Sequence, residues 1–228
     1  MATTYYANMG GTRILSIDAA TDHSGSDDNN VSNFSGDEFI VAINIWSGNK
    51  ETPSSTYKLK WQDDTDASGY ADLGATGELN YTITDSSWSH GDAVATGDQV
   101  CDSQGGDTRI AGERVKGQSL SDAIDLADDE QSELWFGVNC EGADGSHAYS
   151  FQLYSTAEGA VVGTCGATIT MAAGLTHYDL VCSGGTFAYS GSVADLLKGY
   201  HLDCAGATFA YAGSDATFKR GYHLDAGV

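Results

Sequence analysis

Apolar and polar residues alternate with a period of two through most of residues 37–171. In residues 56–61, for example, Tyr57, Leu59 and Trp61 alternate with threonine and lysine. Successive side chains of a β-strand point to opposite faces of its sheet, so this period predicts half-buried antiparallel strands. The pattern recurs in five further segments, residues 37–46, 79–84, 134–140, 149–153 and 161–171.

Clusters of glycine, aspartate and serine separate these segments. The chain has 29 glycines and a single proline, a composition that favours strands joined by tight turns. Six or seven short strands in about 135 residues predict an all-β fold, an immunoglobulin-like β-sandwich. Residues 120–130 have a weak helical pattern, which we interpret as an exposed loop with one turn of helix.

The C-terminal part of the chain contains an internal repeat of 22 residues. Residues 184–205 and 206–227 are identical at 13 of 22 positions, and a partial unit with Tyr178, Leu180 and Cys182 precedes them. Each full unit predicts an outgoing strand, a glycine turn, a middle stretch and a returning strand. We therefore expect a small β repeat module after the sandwich.

Repeat units bury their apolar faces mainly on each other, and at least three are needed for stability. This chain has two and a half, which predicts a further contact with the sandwich or with other subunits. Equivalent positions in the two units carry aromatic residues, which we predict to be assembly contacts: Phe187, Tyr189, Phe209 and Tyr211.

The predicted organisation has three parts. Residues 1–33 form an N-terminal arm, residues 34–172 the immunoglobulin-like sandwich, and residues 173–228 the repeat module. Residues 22–33 are polar and rich in turn formers, whereas the short run Arg13–Ile17 could add one strand to a sheet or to a neighbouring subunit.

The charge of the chain excludes some classes of partner. Ten basic residues against 32 acidic ones give a formal net charge of −22, and the basic residues are scattered. Such a chain repels phosphate, so we expect no direct contact with nucleic acid or an anionic membrane. Residues 1–11 lack the pattern of a secretory signal, and no apolar stretch approaches the roughly 20 residues of a membrane span, so we expect synthesis in a cytoplasm.

One local motif has the spacing of a cation-binding loop. Asp64, Asp66 and Ser68 alternate before a glycine, and Asp72 follows. Oxygen ligands at alternate positions before a glycine turn suit Ca²⁺, but Ala75 stands where an EF-hand has its closing glutamate. Two interpretations remain open, a Ca²⁺ site and a solvated Asx turn, and we expect the turn. No other cofactor is expected.

The five cysteines do not form a recognisable framework. Their odd number and wide spacing, without any C-x-x-C pair, predict mostly buried reduced thiols, with a Cys101–Cys140 bridge as the open alternative. Neighbouring carboxylates such as Asp63 and Asp64 are expected by chance in so acidic a chain. No nucleophile-elbow, phosphate-loop or zinc-protease motif occurs, so we expect no enzyme activity.

Three stretches resemble a domain common in structural proteins of tailed phages and prophages: residues 57–81, 122–140 and 149–171. The two repeat units, with T-F-x-Y-x-G, a short apolar run and Y-x-L, are similar to glycine-rich repeats at the ends of phage virion proteins. The resemblance covers most of the chain after residue 36, whereas residues 1–33 have no counterpart in it.

The resemblance implies a structural component on the exterior of a virion, either a head decoration protein or a tail or fibre component. Its implied partners are other virion proteins and copies of itself, for example in a trimer, and its implied location is the virion surface after synthesis in the host cytoplasm. One alternative is an adhesion module for host-surface glycan, which needs an exposed aromatic cluster beside a concave loop surface. The other is a subunit of a non-viral β-rich surface filament.

Overall fold

The computed structural model describes residues 6–48 and 50–173 with their side chains, and only the backbone of seven short strands between residues 180 and 225. The chain divides into two units, Met1–Ala173 and Gly174–Val228. The described residues contain strands and turns and no helix. The prediction of an all-β, sandwich-like fold is therefore confirmed. No helix in this described part could cross a membrane.

The first unit, here called the sandwich unit, contains twelve strands in chain order. They are β1 (Asn8–Ser16), β2 (Val31–Phe34), β3 (Glu38–Trp46), β4 (Tyr57–Asp63), β5 (Ala71–Asp72), β6 (Ala93–Val94), β7 (Thr108–Arg109), β8 (Gly112–Val115), β9 (Glu130–Asn139), β10 (Ala148–Ser155), β11 (Ala160–Thr164) and β12 (Ile169–Met171).

These strands form two mixed sheets. The first has the order β1-β3-β9-β8-β6, with β7 also paired to β9, and the second has the order β2-β12-β10-β4-β5, with β11 also paired to β10. Most neighbours are antiparallel, but β7 and β8 run parallel to β9, and β2 runs parallel to β12. These parallel pairs depart from the purely antiparallel pattern predicted by the alternation.

The core between the sheets is built from the inward residues of the long strands. Phe39 on β3 and Phe151 on β10 are fully buried, and their rings meet edge-on with centroids 6.0 Å apart. Phe34 on β2 packs edge-on against Phe39 at 5.4 Å. Burying each such side chain stabilises the fold by about 1.5–3 kcal/mol.

A second core covers the outer face of the first sheet. Trp88 and Cys101, from the loops on either side of β6, and Val94 on β6 form one buried cluster with apolar side chains of β1, β3 and β9, namely Leu15, Ile40, Ala42 and Trp135. Strands β3 and β9 are therefore buried on both faces, whereas the sequence alternation predicts burial on one face only.

Three predicted elements differ in the structure. Residues 79–84 form no strand: Asn80 makes only isolated bridges to Gly74 and Asn139. Residues 120–129 contain no helical turn, because Ile124 bridges to Ser55 and Leu126 is buried. The single run predicted over residues 161–171 is two strands, β11 and β12, since the chain breaks its pairing with β10 between them.

The segment predicted as an N-terminal arm belongs to the sheets. Strand β1 pairs with β3 along most of its length, with Ile14 and Leu15 buried, and β2 forms an edge of the second sheet. The polar residues between them also find partners, because Arg13 forms ion pairs with Asp22 and Asp27. Residues 8–34 therefore form part of the folded sandwich unit.

The described cysteines, Cys101, Cys140 and Cys165, are free thiols and are buried. Burial raises the pKa of Cys140 and of Cys165 to about 12, so both remain neutral and unreactive at physiological pH. Cys182 and Cys204 lie outside the described residues.

The second unit is here called the repeat module. Its strands are β13 (Leu180–Val181), β14 (Thr186–Ser190), β15 (Ala194–Leu196), β16 (Leu202–Asp203), β17 (Thr208–Ala212), β18 (Ala216–Phe218) and β19 (Leu224–Asp225). They form three parallel sheets, β13-β16-β19, β14-β17 and β15-β18.

Candidate functional site

The repeat module pairs each strand with the equivalent strand of the next unit. Thr186 pairs with Thr208 and Leu202 with Leu224, so the pairing offset equals the sequence period of 22 residues. Three strands in each unit and parallel pairing between units are the arrangement of a β-solenoid, in which each coil contacts its neighbours along one axis.

The predicted assembly contacts lie on the longest of these ladders. Phe187 pairs with Phe209 and Tyr189 with Tyr211 in the register of β14 and β17. The backbone thus places identical aromatic residues at neighbouring positions of one sheet. Their side chains lie outside the described residues, so their role in assembly stays a prediction.

The residues of the predicted Ca²⁺ loop are divided between two environments. Asp64, Asp66 and Ser68 lie in the turn after β4, whereas Asp72 lies in β5 and forms ion pairs with two lysine ammonium groups, those of Lys58 at 2.5 Å and Lys60 at 3.4 Å. Burial acts to raise the pKa of Asp72, but the hydrogen bond and charge of Lys58 outweigh it, and the pKa is lowered.

Hydrogen bonds within the turn follow an Asx pattern. Asp63 Oδ1 accepts the backbone N–H groups of Thr65 at 2.8 Å and Asp66 at 3.2 Å. Asp64 Oδ1 accepts a hydrogen bond from the Ser150 hydroxyl at 2.8 Å, and Ser68 Oγ accepts the backbone N–H of Asp63 at 3.3 Å. Of the predicted ligands, Asp64 Oδ1 and Ser68 Oγ are thus engaged in hydrogen bonds that organise the turn.

Removal of Ca²⁺ is expected to leave the melting temperature nearly unchanged. A ligand present at about 100 times its dissociation constant would stabilise the fold by about 2.7 kcal/mol, whereas Asp72 is already paired with lysines. The test is thermal unfolding with added Ca²⁺ and with a chelator, in the unchanged protein and in Asp66→Ala. A calcium-dependent rise of several degrees that Asp66→Ala removes would contradict this expectation.

A group that the sequence pattern did not reveal joins the ends of β4 and β10. His147 Nδ1 lies 2.6 Å from Asp63 Oδ2, and a carboxylate oxygen of Asp66 lies within 4.8 Å of both partners. The carboxylate of Asp63 is buried, with only 3% of its side chain exposed. His147 and Asp63 are 84 residues apart in the sequence, so no local spacing could have predicted their contact.

This pair gives the protein a pH-dependent contribution to stability. The hydrogen bond that the His147 ring N–H donates to the Asp63 carboxylate raises the pKa of His147 above its ordinary value of 6.5. Burial acts to raise the pKa of Asp63, but His147 and the backbone N–H groups of the turn outweigh it, and the pKa falls below 3.8. The His147 contribution is complete below pH 6.5 and is lost as the pH rises through its folded-state pKa, while the Asp63 contribution is lost as the pH falls through its own.

Replacing His147 with glutamine is therefore expected to lower the melting temperature at about pH 5.5 and to have little effect at about pH 9. The measurement is thermal unfolding of both proteins at the two pH values. An Asp63→Asn background serves as the control, because it removes the partner that raises the pKa of His147. An equal loss at both pH values would contradict the assignment.

A second group of three lies near β8. His90 Nε2 is 3.7 Å from Glu113 Oε1 and 3.5 Å from Asp122 Oδ1, and it lies 2.5 Å from the Gln118 amide nitrogen. Burial raises the pKa of Glu113, although its carboxylate accepts the backbone N–H of Asp122. Among the described residues, each of these two groups contains three side chains whose possible metal-ligand atoms lie within 4.8 Å of one another. Asp64 and Asp72 belong to neither group.

The surface feature needed by a glycan-binding adhesion module is not found in the described part of the chain. The large apolar side chains exposed there are Leu120 and Val161, neither of which is aromatic. The described tyrosines and tryptophans are buried or half-buried. No described surface therefore offers the exposed aromatic cluster on which sugar rings would stack.

Comparison of the sequence with protein-family models, with curated proteins and with solved structures finds no match in any of the three.

Proposed function

We propose that this protein is a non-enzymatic structural component of the exterior of a phage particle, as a head decoration protein or a tail or fibre component. The observation that carries the proposal is the repeat module, in which two related units pair in parallel register at their sequence period. Repeat units that pair in register bury their faces mainly on each other, and such a stack suits a part whose role is contact with other subunits.

Two further features support the proposal. The formal charge of −22 disfavours contact with packaged nucleic acid and suits a position on the outside of the particle. The resemblance of residues 57–81, 122–140 and 149–171 to phage structural domains favours a virion over other assemblies. The stacking of the repeats would also suit a subunit of a non-viral surface filament. Of these two candidates, only the virion component is expected to associate with phage particles.

The test is an add-back experiment on particles stripped of the protein. Full-length protein and a truncation that ends at Ala173 are compared, because the sandwich unit has its own buried core. We expect the full-length protein to bind the stripped particles and the truncation to remain folded and unbound. If neither form binds the particles, the virion role is contradicted. If both forms bind equally, the sandwich unit and not the repeat module makes the contact.

A further inference from the structure

The group of one histidine and two carboxylates near β8 joins three segments of the sandwich unit. Glu113 lies on β8, His90 lies in the turn before β6, and Asp122 lies in the loop after β8. Strand β6 pairs with β8, so that Ala93 lies opposite Glu113, and the backbone N–H of Asp122 donates to the Glu113 carboxylate. Backbone contacts therefore hold the three side chains together.

The separations between the ligand atoms of this group are those of a coordination shell. His90 Nε2 lies 3.7 Å from Glu113 Oε1 and 3.5 Å from Asp122 Oδ1. Both distances are longer than an N–H···O hydrogen bond, which is about 2.7–3.2 Å. Ligand atoms about 2.0–2.2 Å from a tetrahedral Zn²⁺ lie about 3.3–3.6 Å from one another. Small shifts of His90 and of the exposed Asp122 side chain would therefore place a Zn²⁺ between the three residues.

The other group of three, at the ends of β4 and β10, has a different spacing. His147 Nδ1 and Asp63 Oδ2 are 2.6 Å apart, which is the length of a charge-assisted hydrogen bond and too short for two ligands of one tetrahedral cation. Asp63 Oδ1 also accepts two backbone N–H groups of its turn. That group is therefore a hydrogen-bonded pair, and it provides a comparison for the group at His90.

The Glu113 carboxylate is a buried negative group with few donors. Only 8% of its side chain is exposed. Its hydrogen-bond donor in the described part of the chain is the backbone N–H of Asp122, which both carboxylate oxygens share at 2.9 Å. A carboxylate has about four acceptor positions, and a buried charge is costly unless it is paired or coordinates a metal. A cation between Glu113 and Asp122 would offset the charge of both.

The His90 ring presents a nitrogen electron pair to the same place. The Gln118 amide nitrogen lies 2.5 Å from His90 Nε2 and can only donate, so Nε2 is the acceptor. Gln118 is exposed and also donates to the Leu120 carbonyl, so it can turn away when a cation takes the electron pair of Nε2. One imidazole nitrogen with two carboxylate oxygens suits Zn²⁺, whereas Ca²⁺ takes about six to eight oxygen ligands.

We propose that His90, Glu113 and Asp122 bind one Zn²⁺, with a water molecule as the fourth ligand. The ion cross-links the turn before β6, strand β8 and the loop after it, and its role is structural. Trp88, two residues before His90, belongs to the second core, so the bound ion also holds that covering turn against the first sheet. This inference does not depend on the proposed function.

The test is a calorimetric titration of the metal-free full chain with Zn²⁺ at neutral pH. Excess Mg²⁺ suppresses diffuse binding to so acidic a surface. Loss of an outer partner of a metal ligand costs about 10–100-fold in affinity, so we expect loss of a ligand in His90→Gln or Asp122→Asn to cost at least about 100-fold. His147→Gln is the matched control at the comparison group and is expected to bind Zn²⁺ as the unchanged protein does.

Two further measurements separate this site from other binding and from a damaged fold. Co²⁺ in place of Zn²⁺ is expected to give the intense visible absorption of tetrahedral coordination in the unchanged protein and in His147→Gln, but not in His90→Gln. Zn²⁺ is expected to raise the melting temperature of the same two proteins. Asp122→Asn keeps the fold, because 72% of the Asp122 side chain is exposed, and it should lose this rise. Equal Zn²⁺ affinity of the unchanged protein and both ligand variants, or loss of binding in His147→Gln, would overturn the inference.

Discussion

Replacing Glu133 with alanine is expected to lower the free energy of unfolding of the sandwich unit by about 4 kcal/mol. The Glu133 side chain is fully buried on β9. Its carboxylate accepts the backbone N–H of Cys101 at 2.7 Å, that of Val100 at 2.9 Å and the indole N–H of Trp135 at 3.1 Å. Alanine would leave these three donors unpaired, two of them buried and that of Val100 part-buried, at about 1–3 kcal/mol for each buried one.

The large effect follows from the position of these donors. Val100 and Cys101 lie in the segment that covers the outer face of the first sheet, so Glu133 fixes that segment over the second core. The measurement is chemical unfolding, with Glu133→Gln and the exposed Glu141→Ala as controls. We expect glutamine to recover part of the loss and Glu141→Ala to change little. A loss from Glu133→Ala as small as that of Glu141→Ala would show that the covering segment does not depend on this carboxylate.

Replacing Arg13 with leucine is expected to cost about 2–3 kcal/mol of unfolding free energy. The guanidinium lies 2.7 Å from carboxylates of both Asp22 and Asp27 and 3.4 Å from Asp102. Burial acts to lower the pKa of Arg13, but hydrogen bonds to Asp27 and Asp22 outweigh it and raise the pKa. Leucine would leave these acidic groups together without their cation.

Breaking a fully buried ion pair costs about 3–5 kcal/mol. The loss expected here is smaller, because the side chains of Arg13, Asp22 and Asp27 are each 14–25% exposed to solvent. Arg13→Lys is the matched variant, since it keeps the charge and loses the forked geometry. We expect the cost of Arg13→Leu to shrink in high salt, because screening weakens the remaining carboxylate repulsion. An unchanged unfolding curve would mean that residues 18–28 are not held to the sheet through this cation.

The sequence alternation predicts the positions of the long strands, but it does not predict which residues pack on their outer face. Strands β3, β4, β9 and β10 lie where the period of two places them, because alternate burial is a property of neighbouring residues. The continuous apolar run Phe39–Ile43 is the signal of a strand buried on both faces, but the residues that pack on its outer side, Trp88, Val94 and Cys101, come from elsewhere in the chain. Such a long-range contact leaves no periodic signature.

The candidate sites also differ in how far the sequence alone predicts them. The 22-residue repeat and its aromatic positions are visible in the sequence, since each unit repeats the chemistry of its neighbour. The His147–Asp63 pair depends on the antiparallel pairing of β4 with β10, which brings distant residues together. Asp72 was grouped with Asp64 and Asp66 by spacing alone, whereas the sheet places it beside Lys58 and Lys60.

The role proposed for this chain is that of a structural part of the exterior of a virion. Quantitative mass spectrometry of gradient-purified particles, before and after protease treatment of their surface, tests it most directly. We predict that the protein is present in a fixed copy number per particle and that surface protease removes it while the packaged genome stays protected. Its absence from particles that contain the other virion proteins would contradict the claim.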